Sequence, residues 1–432
     1  MAVSVTECDI LVIGGGPAGS TAAAMLAEQG QDVVLLEREV HPRFHIGESL
    51  LPRNSAILDR LGLRDQVAAM GVHKPGGEFV LDATGQSTHF DFSLGLDQTY
   101  TSSWQVKRAD FDKLLFDNAT ARGARTEQGT RVIAMQFAVA GGRAAVTATG
   151  PDGAPRHYSP RFVLDASGRD TFLAGKLGTK ESNKRHSTAA LYGHFRGVER
   201  REGQLEGYIT IHLAEDGWFW MIPLPDEVMS VGFVGNASAF KGRKGTPHDL
   251  FMARLMGSPT VRARMTHAEL MGDVTSTGNY SYRSTQGYGD GYLMIGDAFG
   301  FVDPMFSSGV LLAMTAGEMG ADVAIAALKS PALGRARSAR MQRDMTHAMD
   351  RIAWLIYRIN TPVLRALFMA PRNTLRMKDG LVSLLAGNLR GSRKSFVPVL
   401  AFKSVYYILS GLMRLGLHKL PTPQPERLAP AE

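Results

Sequence analysis

The chain has 432 residues, enough for two closely associated domains, and an ordinary globular composition with 44% hydrophobic and 21% charged residues. Its single cysteine, Cys8, excludes an internal disulfide and a thiolate-bound metal cluster, and it predicts a cytoplasmic protein. The net charge of +7 is uneven, because residues after 325 carry +13 and residues 1–325 carry −6. This predicts a basic C-terminal surface, either a solvated helical face or one that attracts an acidic protein, a phosphate-bearing substrate or an anionic membrane. No aromatic-interleaved basic stripe is present, so no nucleic-acid partner is expected.

The N-terminal segment has the pattern of a strand, a helix and a second strand. Residues 8–14 and 33–37 form apolar runs, and residues 17–29 between them are rich in alanine. Acidic residues precede the first run and glycines interrupt it, which excludes a signal peptide. The pattern predicts a βαβ unit.

The middle of the chain is predicted to be rich in strands. Short runs bounded by turn residues predict strands over 79–82, 87–92, 131–139, 143–150 and 162–164, the third and fourth joined at Gly141-Gly142. Residues 189–234 also alternate as strands do, and helices are predicted over 110–122 and 248–255.

The C-terminal part is predicted to be helical from Ser308 to about residue 420, with breaks at Pro362 and Pro371. The apolar run 396–417 contains Lys403 and Arg414, so we predict a buried or interfacial helix. We therefore expect no transmembrane segment and at most peripheral contact with a membrane. Residues 421–432 contain four prolines and are predicted to be disordered.

A glycine-rich turn follows the first predicted strand and opens the first predicted helix. Its sequence is Gly14-Gly15-Gly16-Pro17-Ala18-Gly19, and Glu37 ends the next strand. Glycines allow a tight turn and a close approach of a pyrophosphate to the helix N-terminus, while the acidic side chain accepts from ribose hydroxyls. Gly14, Gly16, Pro17, Ala18, Gly19 and Glu37 are therefore predicted to bind a dinucleotide.

Three later segments indicate that this dinucleotide is FAD. They are Gln105-Val106-Lys107-Arg108-Ala109-Asp110, Val163-Leu164-Asp165-Ala166-Ser167-Gly168 and Leu293-Met294-Ile295-Gly296-Asp297. In this order they resemble the signatures of the FAD monooxygenase superfamily, which shares the 4-hydroxybenzoate hydroxylase-like fold. The resemblance implies that Gln105 and Arg108 lie near the flavin, although an arginine on a helix is as often simply solvated. Asp297 ends an apolar strand and is predicted to contact a cofactor hydroxyl.

The expected fold class is α/β, with a Rossmann-like FAD-binding domain interleaved with a β-rich substrate domain. The FAD-binding domain is predicted over residues 1–78, 104–180 and 270–320, and the substrate domain over residues 79–103 and 181–269. A helical region, 321–420, and the tail, 421–432, complete the chain.

Two further segments resemble the flavin-dependent halogenases within that superfamily. The first is Trp218-Phe219-Trp220-Met221-Ile222-Pro223, and the second is Phe301-Val302-Asp303-Pro304-Met305-Phe306-Ser307-Ser308-Gly309. Alternating tryptophans place both indoles on one face of a strand, which is also what a packed sheet requires. The resemblance implies that Trp218, Trp220 and Phe306 wall the substrate tunnel.

The resemblance also implies a reaction in which reduced FAD (FADH2), oxygen and chloride or bromide give hypohalous acid, which a lysine positions or captures beside the substrate. That lysine is Lys74, which follows the flavin-flanking segment His45-Ile46-Gly47-Glu48-Ser49-Leu50-Leu51-Pro52, where Ser49 is expected to touch the cofactor. A lone lysine is usually a surface charge, and its suitability here depends on a lowered pKa. Ser308 and Gly309 are expected to hold the halide at the start of a helix, with Gly309 also near the flavin, although Ser308 suits an ordinary helix cap equally well. No metal is expected.

Phe306 departs from the pattern of the tryptophan halogenases, which carry a glutamate at this position. A phenyl ring cannot act as a base or an anion, so the turn resembles halogenases of phenols, pyrroles or acyl chains, several of which act on carrier-bound substrates. A basic C-terminal surface would suit an acidic carrier protein. The absence of a second dinucleotide motif implies a separate flavin reductase.

Three alternatives remain open at the level of sequence. A single-component aromatic hydroxylase would reduce its FAD with NAD(P)H and transfer oxygen directly. A geranylgeranyl-reductase-like enzyme shares the Gly-Asp-Ala-x-Gly-Phe segment but has a different loop after it. A non-catalytic FAD-binding sensor or scaffold is the third, and no residue pattern argues for it.

Overall fold

The computed structural model describes residues 4–137, 142–183, 188–240, 245–278 and 281–417. The strands in this part of the chain are Val5–Ile13 (β1), Val33–Leu36 (β2), Val72–Lys74 (β3), Gly76–Leu81 (β4), Ser87–Asp91 (β5), Ser103–Gln105 (β6), Arg125–Glu127 (β7), Arg131–Gln136 (β8), Ala145–Thr149 (β9), Pro155–Asp165 (β10), Lys180–Ser182 (β11), Thr188–Arg196 (β12), Ile209–Leu213 (β13), Gly217–Pro223 (β14), Met229–Asn236 (β15), Glu269–Gly278 (β16), Tyr282–Ser284 (β17), Tyr288–Gly289 (β18), Tyr292–Met294 (β19) and Gly300–Phe301 (β20).

The α-helices of the described residues are Pro17–Glu28 (α1), Asn54–Leu61 (α2), Arg64–Met70 (α3), Arg108–Ala121 (α4), Phe172–Leu177 (α5), Pro247–Gly257 (α6), Pro259–Arg264 (α7), Gly309–Lys329 (α8), Pro331–Ile356 (α9), Pro362–Met369 (α10), Met377–Leu385 (α11) and Arg393–Arg414 (α12).

The first sheet carries the N-terminal βαβ unit. Its strand order is β18-β19-β10-β1-β2-β7, with β9 beside β10 and β8 beside β9. The central strands are parallel, and in register Ile13 at the end of β1 lies between Asp165 of β10 and Leu36 of β2. The carboxyl ends of these strands therefore meet at one edge, where open α/β sheets bind their ligands.

Two helices cover this sheet closely. A Cβ added at Gly317 of α8 would lie 2.4 Å from the carbonyl oxygen of Ala18 in α1, so the two helix backbones come together at a glycine. The helices and the apolar strands β1 and β2 belong to one buried core. Burial on both faces is typical of parallel strands and explains their nearly continuous apolar sequence.

The second sheet is mostly antiparallel, in the order β16-β12-β15-β14-β13-β4-β5. The pair β4 and β13 is parallel. The core of its outer face includes Phe195, Phe233 and Phe251, which are fully buried. The opposite face, with Trp218 and Trp220, joins the core of the first sheet.

The predicted fold class is confirmed, and most predicted elements are present with shifted ends. The strand predicted over 162–164 is longer, since β10 begins at Pro155, and the helix predicted over 110–122 begins at Arg108. Helices α2, α3, α5 and α7 were not predicted. The strand predicted over 131–139 ends at Gln136. Part of the turn predicted at Gly141-Gly142 lies outside the described residues, and so does the predicted tail, 421–432. The domain boundaries stay a prediction.

Among the described residues, two C-terminal helices are long and apolar enough to cross a membrane by length and composition. They are α8 and the stretch Lys394–Arg414 of α12, each with an 18-residue window of mean hydropathy 1.5. In α8, 67% of that window is buried in the protein, so it is a core helix, whereas only 17% of the window in α12 is buried. The expected absence of a transmembrane segment therefore stays a prediction for α12.

Candidate functional site

A cavity of about 780 Å³ lies where the carboxyl edge of the first sheet faces the second sheet. Most residues predicted to bind the cofactor or wall the substrate line it: Gly14, Gly16, Pro17, Ala18, Glu37, Ser49, Arg108, Trp218, Trp220, Asp297 and Gly309. Gly19, Lys74, Phe306 and Ser308 are not part of its wall. The volume is within the range of small-molecule and cofactor sites.

The glycine turn brings backbone to the edge of the cavity. Gly14 has a φ of +102°, and a Cβ there would lie 2.3 Å from the carbonyl oxygen of Ala166 at the end of β10. Gly19 does not reach the cavity, but a Cβ at this position would lie 1.9 Å from the carbonyl oxygen of Gly14. Gly19 therefore lets α1 start directly at the turn, with its N-terminal N–H groups toward the cavity.

Glu37 ends the second strand beside this turn. Its Oε2 accepts from the backbone N–H of Gly15 at 2.7 Å, and its Oε1 accepts from that of Glu39 at 2.9 Å. Each carboxylate oxygen has two acceptor positions, so Glu37 can also accept from a ligand hydroxyl in the cavity. The predicted ribose acceptor is thus held by the turn that would bind the pyrophosphate.

Arg108 and Asp297 bring opposite charges to the wall. The Arg108 guanidinium makes two bonds to Asp112, at 2.7 and 2.9 Å, and donates to the carbonyl of Ile46 at 2.7 Å. Burial raises the pKa of Asp297 to about 6, although the positive charges of Arg108 and Arg169 act in the other direction. Gln105, by contrast, donates to the carbonyl of Gly207 at 3.0 Å and does not line the cavity.

The glycine turn and Glu37 fit a bound FAD. A Cβ at Gly14 or at Gly19 would lie 2.3 or 1.9 Å from a backbone carbonyl oxygen, so the turn keeps bare backbone where a pyrophosphate would lie. Glu37 holds the turn through Gly15 N–H and keeps acceptor positions for a ribose hydroxyl.

The paired tryptophans form one wall of the cavity. Their ring centroids are 5.8 Å apart, and Trp220 Nε1 donates to Ser230 Oγ at 3.1 Å. A Cβ at Gly232 on the neighbouring strand would lie 2.1 Å from the Trp220 indole, so this glycine makes room for the ring. Both indoles are buried.

The predicted halide turn lies at the start of α8. Ser307 has a φ of +57°, and its N–H donates to the carbonyl of Pro304 at 2.9 Å. Ser308 is buried and precedes the first helical residue, Gly309, which lines the cavity. The first N–H groups of a helix have no acceptor within the helix, so this end of α8 presents backbone donors.

Lys74 is buried rather than exposed, with 1% of its surface accessible. It ends β3, and its Nζ donates to the carbonyl of Leu50 at 2.9 Å and lies 5.3 Å from the centre of the Phe92 ring. Burial lowers its pKa from 10.5 to about 7. Lys74 does not line the cavity, but its hydrogen bond joins it to the residue directly after Ser49 on the wall.

Phe306 does not line the cavity, and its place on a substrate tunnel stays a prediction. It lies in a buried aromatic cluster, 6.0 Å from both Phe79 and Phe368 measured between ring centroids. Phe79 and Phe368 pack edge to face at 4.7 Å. Phe306 is buried, and the next residue, Ser307, has a positive φ.

A carboxylate and histidine pair beside the cavity was not singled out by the sequence. Glu48 Oε1 and His194 Nε2 are 2.6 Å apart, although 146 positions separate the residues. Glu48 lies in the flavin-flanking segment, and this position is the feature of the sequence that could have indicated a role for it. His194 belongs to the alternating strand β12 and carries no motif.

The chain matches the model of the FAD binding domain family over residues 7–328. It is 36% identical over 310 residues to a tryptophan 2-halogenase of Chondromyces crocatus, covering 71% of this chain and 58% of that protein. It is 33% identical over 319 residues to a 1H-pyrrole-2-carbonyl-(peptidyl-carrier protein) brominase of Pseudoalteromonas luteoviolacea, covering 73% of this chain and 76% of that one. The crystal structure of a flavoprotein/dehydrogenase from Cytophaga hutchinsonii superposes with a TM-score of 0.85 at 30% identity, over 95% of this chain and 100% of that one.

The chain thus spans less than two thirds of the length of the Chondromyces relative and three quarters of the brominase. The family match covers most of the chain and includes the glycine turn, Glu37, Arg108 and Asp297 at the cavity. The match to an FAD-binding domain agrees with the cofactor expected from the turn. By these matches the chain belongs to the flavin-dependent halogenases, a family of FAD-dependent oxidoreductases.

Proposed function

We propose that this protein is a halogenase that uses reduced FAD, oxygen and chloride or bromide to halogenate an electron-rich aromatic substrate, a phenol or pyrrole, or an acyl substrate. The observation that carries the proposal is Lys74. It is fully buried, its pKa lies at about 7, and it is hydrogen-bonded to the chain segment that lines the cofactor cavity. A lysine that serves only solubility would be exposed and fully charged near neutral pH.

Lys74 can act in two ways near neutral pH because both of its protonation states are populated there. The ammonium form can donate a hydrogen bond to a neutral hypohalous acid. The free amine can attack the halogen of that acid, so that an N–halogen bond replaces the O–halogen bond and the amine proton leaves with the hydroxide as water. Reduced FAD would supply electrons to oxygen, and the reduced oxygen species would oxidise the halide. Lys74 would hold the resulting electrophile away from water and close to the substrate.

The turn before α8 supports a halide site. Backbone donors at a helix N-terminus favour an anion, and burial of Ser308 keeps water from competing for it. Gly309 brings this end of the helix to the cavity wall. Trp218 and Trp220 would exclude water from the wall that faces the second sheet.

Phe306 supports a substrate other than free tryptophan. The aromatic cluster around it offers no carboxylate at the position where tryptophan halogenases carry one. One relative is named a tryptophan halogenase and another a brominase of a carrier-bound pyrrole, so the substrates of the relatives differ. We propose a phenol, a pyrrole or an acyl chain, free or bound to a carrier protein, and a separate flavin reductase as the source of reduced FAD.

The test supplies the purified protein with a flavin reductase, FAD, oxygen and bromide, and offers a phenol, a pyrrolyl thioester on a carrier protein, and tryptophan. Mass spectrometry detects the bromine isotope pattern on the product. We expect brominated phenol or pyrrole, and at least a hundredfold less with Lys74→Met, which keeps the side chain's length and apolar packing. Lys113→Met is the matched control, since that lysine is exposed and paired with Asp117 on the surface of α4.

Other outcomes would favour other functions. Product formation that is independent of bromide, or retained in Lys74→Met, contradicts the halogenase proposal. Substrate-stimulated oxidation of NADPH without an added reductase would instead indicate a single-component hydroxylase. Efficient bromination of tryptophan alone would support the halogenation reaction but contradict the proposed substrate class.

A further inference from the structure

Helix α12 exposes an apolar face along much of its length. Phe396, Val397, Leu400, Tyr407 and Ile408 are each more than half exposed. At 100° per residue their positions fall within an arc of about 120° on the helix surface. Exposed Ser404 is the polar residue within this arc. A mostly apolar face of this kind is rare on a monomeric soluble protein and marks an interaction site.

The other side of α12 is fixed to the protein. Phe402 and Tyr406 are buried, and a Cβ at Gly380 of α11 would lie 2.6 Å from the Cβ of Pro398, so the two helices are in direct contact. Lipid could surround α12 only if these contacts were broken. The helix therefore suits a membrane surface rather than a membrane-spanning position.

Aromatic and cationic side chains border the exposed face. Trp354 Nε1 donates to the Tyr407 hydroxyl at 2.9 Å, and the Trp354 and Tyr406 rings are 5.4 Å apart. The Lys403 and Arg358 cations lie 4.8 and 5.3 Å from the centre of the Trp354 ring. Tryptophan, tyrosine, lysine and arginine are the residues that prefer the boundary between water and lipid headgroups.

The charge of this region is complementary to anionic lipids. Residues after 325 carry +13, and Lys394 and Arg414 near the two ends of α12 are exposed. Anionic bilayers attract such basic segments while offering an apolar layer beneath the headgroups. An acidic protein would match the charge, but the exposed phenylalanine, leucine and isoleucine also need an apolar surface.

We propose that α12 binds the surface of an anionic lipid bilayer, with its apolar face inserted at the boundary between headgroups and acyl chains. This surface is separate from the cofactor cavity and does not depend on the halogenase proposal. It would hold the protein on a membrane while the cavity stays in water.

The experiment measures binding of the full-length protein to vesicles of phosphatidylcholine with and without phosphatidylglycerol, by flotation. We expect binding that requires phosphatidylglycerol and weakens with added salt. The double variant Leu400→Asp, Ile408→Asp should lower the partition coefficient about tenfold or more, because it removes apolar insertion and adds negative charge. Ile133→Asp is the control: Ile133 is 55% exposed on β8, and its replacement should leave binding unchanged.

Three results would overturn the proposal. They are no binding to phosphatidylglycerol vesicles, equal binding by the double variant, and equal loss of binding in the Ile133→Asp control. A concentration-dependent dimer that the double variant abolishes would assign α12 to a second copy of the chain instead. Unchanged unfolding midpoints and FAD binding in both variants would show that the exposed substitutions leave the fold intact.

Discussion

The buried lysine predicts an unusual pH dependence of stability. Replacing Lys74 by methionine removes a charge from an apolar site while keeping the length of the side chain. Burial lowers the pKa of Lys74 from 10.5 to about 7. The charged form is therefore disfavoured in the folded protein, and the substitution should stabilise the protein at every pH at which the unfolded chain still binds the lysine's proton.

The magnitude follows from the pKa. A shift of one unit in a pKa changes the free energy of unfolding by about 1.4 kcal/mol, so the shift of the Lys74 pKa from 10.5 to about 7 corresponds to roughly 4 to 5 kcal/mol. Below pH 7 Lys74 is protonated in both the folded and the unfolded protein, so the full free-energy cost of burying its charge applies. Between pH 7 and 10.5 the unfolded chain binds more protons than the folded one, so the stability of the parent protein rises with pH. The variant also leaves the Leu50 carbonyl without its donor, which costs about 1 kcal/mol at every pH.

We therefore expect Lys74→Met to be more stable than the parent by roughly 3 kcal/mol near pH 7, and the advantage to disappear toward pH 10. Urea denaturation of both proteins at intervals across this range measures the difference. Lys113→Met, at an exposed lysine, should show no such trend. A stability difference between Lys74→Met and the parent that does not change with pH would refute the reasoning, because it would mean that Lys74 is equally charged in the folded and unfolded states.

Two substitutions test other parts of the site. Glu37→Ala removes the acceptor for Gly15 N–H and for the ligand, so FAD affinity measured by flavin fluorescence should fall about 10- to 100-fold, and unchanged affinity would contradict the assigned role. Gly232→Ala places a methyl group 2.1 Å from the Trp220 indole and should cost about 1–3 kcal/mol of stability in urea denaturation. Gly278→Ala is its control, since the nearest atom there is 3.9 Å away, and an equal cost at both glycines would count against the packing argument.

The cofactor half of the site could be predicted from local sequence. Gly14 must adopt a positive φ, Gly19 must admit a carbonyl, and Glu37 ends the next strand, so each requirement is visible as a residue type at a fixed spacing. The parallel pairing of β1 with β2 then follows from the βαβ pattern, whereas the pairing of β1 with β10 joins segments that are distant in sequence. The glycine turn, Glu37 and the β1–β2 pair are local features, and the chain order alone places them together.

The second half of the site depends on contacts that are distant in sequence. Phe306 and Ser308 are two positions apart, yet Phe306 packs against Phe79 and Phe368 in the core while Ser308 precedes the helix at the cavity. His194 meets Glu48 across 146 positions. A residue pattern does not predict which way such side chains point, because their direction depends on the residues, distant in sequence, that the fold packs against them.

Sequence alone thus determined the α/β class, the FAD cofactor and the family, since each rests on residue types at short, regular spacings. The tertiary structure decided that Lys74 is buried and its pKa lowered, that Phe306 packs among other aromatic rings, and that α12 keeps an apolar face exposed. These are properties of burial, and burial depends on every segment packed around a residue rather than on the residues beside it in the chain.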